Sequence, residues 1–275
     1  MENETIVQHA VVAWAHATEG IGAVFATGAR ENPAAVQKKT MPYRYIVESE
    51  RGAAPVMEED WAERLQEKVL QLAVVAHQPD VVRLFMANDV RVTFCVVAPE
   101  DLETALAADS LARAVYDPEA RFAERPAPTD LTLRFKAPTP ERVTLWCNQF
   151  FMNMTDVALA LYDDEPWQAQ TYLDAAREAL IPMAFAAAAS ESGFFVNLGE
   201  RGENLKAYMS DTAYDHLMRS YAPTDAARIW DALFQACMLF RKCGLKLDEL
   251  DGYTYPRKMD VEMMQYFRRL WEETR

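Results

Sequence analysis

Basic side chains are scarce in this sequence. The chain has 28 Lys and Arg against 42 Asp and Glu, which gives a formal net charge of −14. An acidic surface repels nucleic acid and anionic membrane faces, so we expect neither as a partner. It attracts cationic ligands, although the solubility that excess acid confers is the simpler reason for the composition.

The sequence also lacks the spacing of a metal or disulfide framework. There are four cysteines and four histidines in 275 residues, with no CxxC pair and no histidine near enough to complete a metal-ligand pattern. The four cysteines are Cys95, Cys147, Cys237 and Cys243. We expect reduced, mostly buried thiols and no metal site.

The sequence has no long apolar runs, and we expect no secretory signal peptide. No apolar stretch reaches the roughly 20 residues that a membrane span needs, and Met1-Glu2-Asn3-Glu4 does not lead from basic residues into an apolar run. We therefore predict a cytoplasmic location. With 51% hydrophobic and 25% charged residues, the composition is that of a soluble globular chain of one large domain or two ordinary ones.

Short alternating segments fill the first half of the chain. The apolar periodicity predicts helices at residues 7–17, 61–68 and 100–107, and strands at 21–27, 43–47, 69–75, 81–86 and 90–97. Asn88-Asp89 between the last two strands has the composition of a hairpin turn. The pattern predicts a mixed α/β domain whose sheet is mostly antiparallel.

The pattern changes across a proline-rich stretch at residues 123–140. Apolar spacings of three and four residues then predict helices at 139–163, 166–189, 211–220, 224–250 and 260–273. Thr139 followed by Pro140 and Glu141 is a good helix start. The prediction is an α+β protein with a sheet domain at residues 1–137 and a helical bundle at 138–275.

Short sequence words then point to a known family. In the second half they are Asn148-Gln149-Phe150, Leu161-Tyr162-Asp163-Asp164-Glu165, Gly199-Glu200-Arg201-Gly202-Glu203, Ser220-Tyr221 with Asp225, Ile229-Trp230, Leu233-Phe234, Phe240-Arg241 and Gly252-Tyr253-Thr254-Tyr255-Pro256. In the first half they are Gly28-Ala29-Arg30 with Asn32-Pro33, and Trp61 with Arg64. In order and spacing this set resembles the streptomycin (aminoglycoside 6-) adenylyltransferase family from about residue 7 to about residue 271.

The resemblance implies a nucleotidyltransferase-like fold that transfers AMP from ATP to an aminoglycoside hydroxyl. In such a transfer divalent metals clamp the triphosphate and neutralise developing charge, and magnesium takes hard oxygen ligands. The family supplies an Asp-x-Asp pair at the start of one strand and a third Asp on a neighbouring strand. A Gly-Ser turn before them holds the phosphates, and here that turn is Gly28-Ala29, followed by Arg30.

This sequence departs from the family pattern at the metal site. The resemblance places the paired acids on Pro42 and Arg44, the third acid on Arg91, and the serine of the turn on Ala29. Proline has no side-chain donor for a metal, and a guanidinium repels the cation. Residues 40–47 contain no Asp or Glu, and the next acids, Glu48 and Glu50, lie at the far end of the predicted strand.

The second half departs in the same direction. Glu200 and Glu203 stand where the family's glycine word carries lysines that suit a triphosphate. Gln149, beside Asn148, stands where the family often has a glutamate that serves as a base. We therefore expect neither ATP nor Mg to bind, and no catalytic residue or metal ligand. The candidate binding residues are Gly28, Ala29, Arg30, Arg44, Arg91, Asn148, Gln149, Glu200 and Glu203.

Three functions remain open on the sequence. The first is a family member without catalytic activity that binds a small molecule or a partner in an interdomain cleft. The second is an active aminoglycoside adenylyltransferase that uses carboxylates from elsewhere, and the third is a non-catalytic interaction module. Under the first, Arg44 or Arg91 is expected to pair with Glu200, Glu203 or another acid across the cleft, or to share a bound anion. Ligand, partner and oligomeric state are not specified by the sequence.

Overall fold

The chain divides into two compact units, residues 1–132 and 133–275. The computed structural model describes residues 2–35, 37–38, 40–74, 79–199 and 202–275. The proline-rich stretch predicted the division at residue 137, a few residues beyond this point. The α+β prediction is confirmed, because a mixed six-stranded sheet with helices is followed by a helical unit.

Within its described residues, the first unit carries the sheet and four α-helices. Its strands are β1 (Ile21–Thr27), β2 (Tyr43–Ser49), β3 (Val69–Val74), β4 (Asp80–Met86), β5 (Arg91–Val97) and β6 (Arg113–Tyr116). Its helices are α1 (Glu2–Ala17), α2 (Ala54–Glu58), α3 (Trp61–Leu65) and α4 (Leu102–Ala107). The predicted hairpin turn joins β4 to β5, with Asp89 at a φ of +65° and its N–H bonded to the Met86 carbonyl at 3.1 Å.

The sheet has the strand order β3-β4-β5-β2-β1-β6. Four of its five pairings are antiparallel, as the sequence pattern predicted, and β2 runs parallel to β5. In that parallel pair Tyr43 lies opposite Val92 and Arg44 opposite Thr93. The starts of β2 and β5 therefore lie side by side, and Arg44 and Thr93 project from the same face of the sheet.

One face of this sheet is closed by aromatic packing. Trp14 of α1, Trp61 of α3 and Phe94 of β5 form a triangle with ring centroids 5.0–6.0 Å apart, and all three are buried. On the other face, Leu102 and Leu106 of α4 belong to a cluster with Phe25 of β1 and residues of the β2 and β5 C-terminal halves. Beside the starts of β2 and β5, this second face carries several exposed side chains.

The second unit is built from helices α5 (Pro140–Tyr162), α6 (Pro166–Ser190), α7 (Asp211–Arg219), α8 (Ala226–Asp248) and α9 (Arg257–Glu273). The predicted start of α5 is confirmed, because the Thr139 hydroxyl accepts the Arg142 N–H at 3.2 Å with Pro140 in the first turn. At its centre Phe150 of α5 stacks on Phe240 of α8, with centroids 3.9 Å apart and an interplanar angle of 1°.

Gly244 of α8 is fixed by a close approach of Tyr255. A Cβ built on Gly244 would overlap the Tyr255 ring, whose Cγ would lie 3.1 Å away, and Tyr255 is only 4% exposed. We expect overpacking in Gly244→Ala to lower the free energy of unfolding by about 1–3 kcal/mol. The higher helix propensity of alanine offsets up to about 1 kcal/mol of this loss. Urea denaturation measures the change. The Gly244→Ala/Tyr255→Leu double variant should lose less than the sum of the single variants, and a stabilised Gly244→Ala would contradict the packing.

Some predicted boundaries differ from the structure, and the short elements α2 and β6 were not predicted. The helix expected at 61–68 ends at Leu65, because Gln66 takes a left-handed conformation with a φ of +52° that stops the helix. The strand predicted at 90–97, β5, begins at Arg91 rather than Val90. The five-residue helix α2 and the four-residue strand β6 are too short to show a periodicity. Val75, the predicted end of β3, lies outside the described residues.

The four cysteines lie in described ranges and form no disulfide, and three of them are buried while Cys95 is half-buried, as predicted. Within those ranges no helix combines the length and the apolar character that crossing a membrane requires.

Candidate functional site

The predicted glycine turn follows β1 directly. Gly28 has a φ of +78°, which a side chain would strain, and the carbonyls of Gly28 and Ala29 accept the Glu31 and Asn32 N–H groups at 3.0 and 3.4 Å. A Cβ on Gly28 would lie 3.3 Å from the Cβ of Arg44 and 3.6 Å from its Cδ and Nε. The Arg44 side chain therefore lies along the glycine, over the start of the turn.

Little space remains beside this turn. A cavity of about 10 Å³ is lined by Ala26, Thr27, Arg30, Arg44 and neighbouring side chains. That volume leaves room for about one water molecule. The half-buried Arg44 thus occupies the region next to Gly28 in this conformation.

Two further arginines hold the segment that enters β2. Arg30 donates from Nε and Nη2 to the Met41 carbonyl at 3.0 and 2.7 Å, and its guanidinium lies 3.9 Å from the centroid of the Tyr43 ring. Arg91, which is exposed at the start of β5, donates from Nη2 to the Thr40 carbonyl at 2.5 Å. Arg30 and Arg91 therefore donate to consecutive carbonyls of this segment.

Two carboxylates close to these residues are held by other groups. Glu31 forms a bidentate pair with Arg113, with both N–O distances at 2.8 Å. Asp109 accepts a short hydrogen bond from the Thr27 hydroxyl and a second from the Leu111 N–H at 2.9 Å. Sequence reasoning missed both, because the partners lie about eighty positions apart and no local pattern joins them.

Glu48 lies at the far end of β2, as predicted. It is buried and forms a bidentate pair with Arg121, whose Nη1 lies 3.0 Å from Oε1 and whose Nη2 contacts Oε2. The hydrogen bond to Glu48 is the main cause that raises the pKa of Arg121 above its usual value. A Cβ on Gly22 would lie 2.7 Å from the Glu48 carboxyl carbon, so glycine leaves the room for this pair.

The donor set of the described residues does not fit a divalent metal. Across the described ranges, no group of three or more His, Cys, Asp or Glu side chains is placed to hold a metal ion. Pro42 offers no side-chain oxygen, and Arg44 and Arg91 are cationic at positions that the resemblance assigns to metal-binding acids.

The remaining candidate residues belong to the second unit. Asn148 and Gln149 are exposed on α5. The Glu203 carboxyl group lies against Gly199, where a Cβ would be 3.1 Å from its Cδ. Glu200 lies outside the described residues. The pairing of Arg44 or Arg91 with Glu200 or Glu203 stays a prediction.

These features define a two-unit α+β protein with a candidate site at the strand starts of a mixed sheet. A protein-family model described as streptomycin adenylyltransferase matches residues 1–270. The chain therefore belongs to the streptomycin adenylyltransferase family, and the recognition made from short sequence words is confirmed.

Individual relatives are distant. The aminoglycoside 6-adenylyltransferase of Campylobacter jejuni is 24% identical over 174 residues, 63% of this chain and 60% of that protein. That of Bacillus subtilis (strain 168) is 28% identical over 149 residues, 54% of this chain and 52% of that protein. The chain thus matches about half to three fifths of the length of these curated relatives. A crystal structure of an aminoglycoside 6-adenyltransferase from Bacillus subtilis aligns with a TM-score of 0.48 at 18% identity, covering 95% of this chain and 96% of that one.

Proposed function

We propose that this chain is a family member that has lost metal-dependent transfer of AMP and retains the site for binding a small ligand. The observation that carries the proposal is the Arg44 side chain lying along Gly28. By the resemblance, position 44 would carry a metal-binding acid and the Gly28 turn would hold the phosphates. A guanidinium there repels the metal and fills the space that a triphosphate would need.

Three further features support this proposal. Pro42 and Arg91 take the other two acid positions, and neither can ligate magnesium. Ala29 removes the hydroxyl that the family's turn would offer to a phosphate. Glu48, the nearest acid along β2, is already paired with Arg121 at the opposite end of the strand.

We expect no saturable binding of Mg-ATP and no adenylyl transfer. Calorimetry tests the binding, and incubation with α-labelled ATP and streptomycin or another aminoglycoside tests the transfer. The Bacillus subtilis aminoglycoside 6-adenylyltransferase serves as the reference enzyme in the same assay. Micromolar Mg-ATP binding or labelled aminoglycoside would contradict the proposal. Reversion of Pro42, Arg44 and Arg91 to Asp need not restore transfer, because Ala29 remains.

The alternative of an active transferase has one structural candidate for a replacement carboxylate. Asp109 lies beside Thr27, at the end of β1 that leads into the glycine turn. A single carboxylate with two protein hydrogen bonds is a poor substitute for three acids that share two metal ions. If labelled product did form, loss of that product in Asp109→Asn would identify Asp109 as the replacement.

A further inference from the structure

A group of arginines crosses the sheet face at the starts of β2 and β5. Arg44 lies opposite Thr93 on β5, and Thr93 lies opposite Arg83 on β4. Since adjacent strands are about 4.8 Å apart, the Cα atoms of Arg44 and Arg83 are about 10 Å apart with Thr93 between them. Arg91 precedes Thr93 by two residues and projects from the same face. Arg83 and Arg91 are both exposed.

Exposed arginines lie on this face, although the whole chain has a net charge of −14. Asp109 brings a carboxylate to the β1 side of the face, where Thr27 and the Leu111 N–H already donate to it. Glu31 forms its ion pair with Arg113 of β6. Arg113 lies opposite Ala26 of β1 and therefore projects from the other face of the sheet. Glu48 also lies on this face, at the far end of β2, and is paired with Arg121. At the strand starts, Arg83 and Arg91 bring exposed positive charge to the face.

Exposed apolar side chains adjoin the arginines. Leu72 of β3 lies opposite Arg83, and Phe85 of β4 lies opposite Arg91. Leu70, Leu72 and Phe85 are 60%, 50% and 37% exposed and share the face of the arginines. A planar guanidinium binds phosphate through paired hydrogen bonds, and the adjacent apolar surface suits a group attached to that phosphate.

We propose that this face binds a phosphate-bearing small molecule with an apolar group, without a metal ion. Arg83 and Arg91 bind the phosphate, and Leu72 and Phe85 contact the apolar group. Arg91 exchanges its bond to the neutral Thr40 carbonyl for a charge-assisted bond to the ligand. The acidity of the rest of the chain disfavours a long polyanion such as nucleic acid.

The proposal names the ligand class for the site of the proposed function and rests on that function. Its test uses phenyl phosphate, titrated by calorimetry into the full chain in buffer containing EDTA. We expect saturable binding that is at least tenfold tighter than that of inorganic phosphate. Arg83→Gln and Arg91→Gln should each weaken the binding of phenyl phosphate at least tenfold.

Two variants separate the parts of the site. Leu72→Ser should weaken the binding of phenyl phosphate while leaving that of inorganic phosphate unchanged. Arg51→Gln removes the same charge from an exposed turn of the same unit, where Arg51 pairs with Glu58, and should change neither affinity. Circular dichroism confirms that each variant is folded, since all four altered side chains are exposed.

Three results would overturn the inference: no saturable binding by the folded wild-type chain, binding that survives both arginine substitutions, or binding that requires added magnesium. Adenylyl transfer with Mg-ATP is a separate readout. Labelled aminoglycoside together with phenyl phosphate binding in EDTA would defeat the proposed loss of activity and leave the anion site standing. Failure of phenyl phosphate to bind, with no transfer, would defeat the anion site alone.

Discussion

Arg121→Ala is expected to lower the free energy of unfolding of the sheet unit by about 3–5 kcal/mol, because it leaves the Glu48 carboxylate buried and unpaired. Glu48 is 3% exposed and its two oxygens both accept from Arg121. The Arg121 side chain is 38% exposed, so water that replaces it reduces the loss toward the lower end of this range. The ion pair lies at the opposite end of β2 from the arginine-lined site, so anion binding should be unaffected.

Hydrogen exchange of peptides that cover residues 21–49 measures this loss within the sheet unit. Arg51→Ala is the matched control, because the Arg51–Glu58 pair is 50% and 63% exposed and should contribute at most about 1 kcal/mol. The combined Arg121→Met and Glu48→Leu variant should recover much of the lost stability, since it removes the buried, unpaired carboxylate. A loss below about 1 kcal/mol in Arg121→Ala would show that the pair is solvated.

Phe240→Ala is expected to destabilise the helical unit by about 3–5 kcal/mol. Phe240 is fully buried, stacks on Phe150 at 3.9 Å and meets Phe151 edge-on at 5.9 Å. The substitution removes a whole ring from a core shared by α5 and α8, and rigid helices cannot close the void. The exposed binding face of the other unit should keep its affinity for phosphate.

Urea denaturation followed by helical circular dichroism measures the effect. Phe195→Ala is the control in the same unit, because Phe195 is 76% exposed and its removal should change stability by less than about 0.5 kcal/mol. Phe240→Leu should lose less than Phe240→Ala, since it keeps part of the buried volume. Equal midpoints for Phe240→Ala and the wild-type chain would contradict the packing of the two rings.

The long helices and strands could be predicted from the sequence because their apolar patterns extend over many residues. The start of α5 at Thr139 and Pro140 is a local signal, and a run of aromatic and β-branched residues marks β2 from Tyr43. Strand β6 was missed because its four residues are all half-buried and show no alternation. The stop of α3 at Gln66 was missed because a left-handed conformation in a residue other than glycine leaves no compositional mark.

The site shows the same division between local and distant information. The short words placed Gly28, Arg44 and Arg91 in one site, and the structure puts Arg44 along Gly28 and Arg91 on the adjoining strand. The participation of Arg83 could not be predicted, because it depends on the register of β4 against β5. Such registers follow from packing across the whole sheet, which no short segment encodes.

The single parallel pairing, between β2 and β5, has a consequence for how the first unit folds. Strands β3, β4 and β5 follow one another in an antiparallel order, so their contacts close short loops and can form early. The parallel pair joins segments far apart in the chain and must overcome a larger loop-closure entropy. Arg44 and Arg91 lie on opposite strands of that pair, so a partly assembled sheet holds them apart, and they come together only when the slow, non-local step is complete.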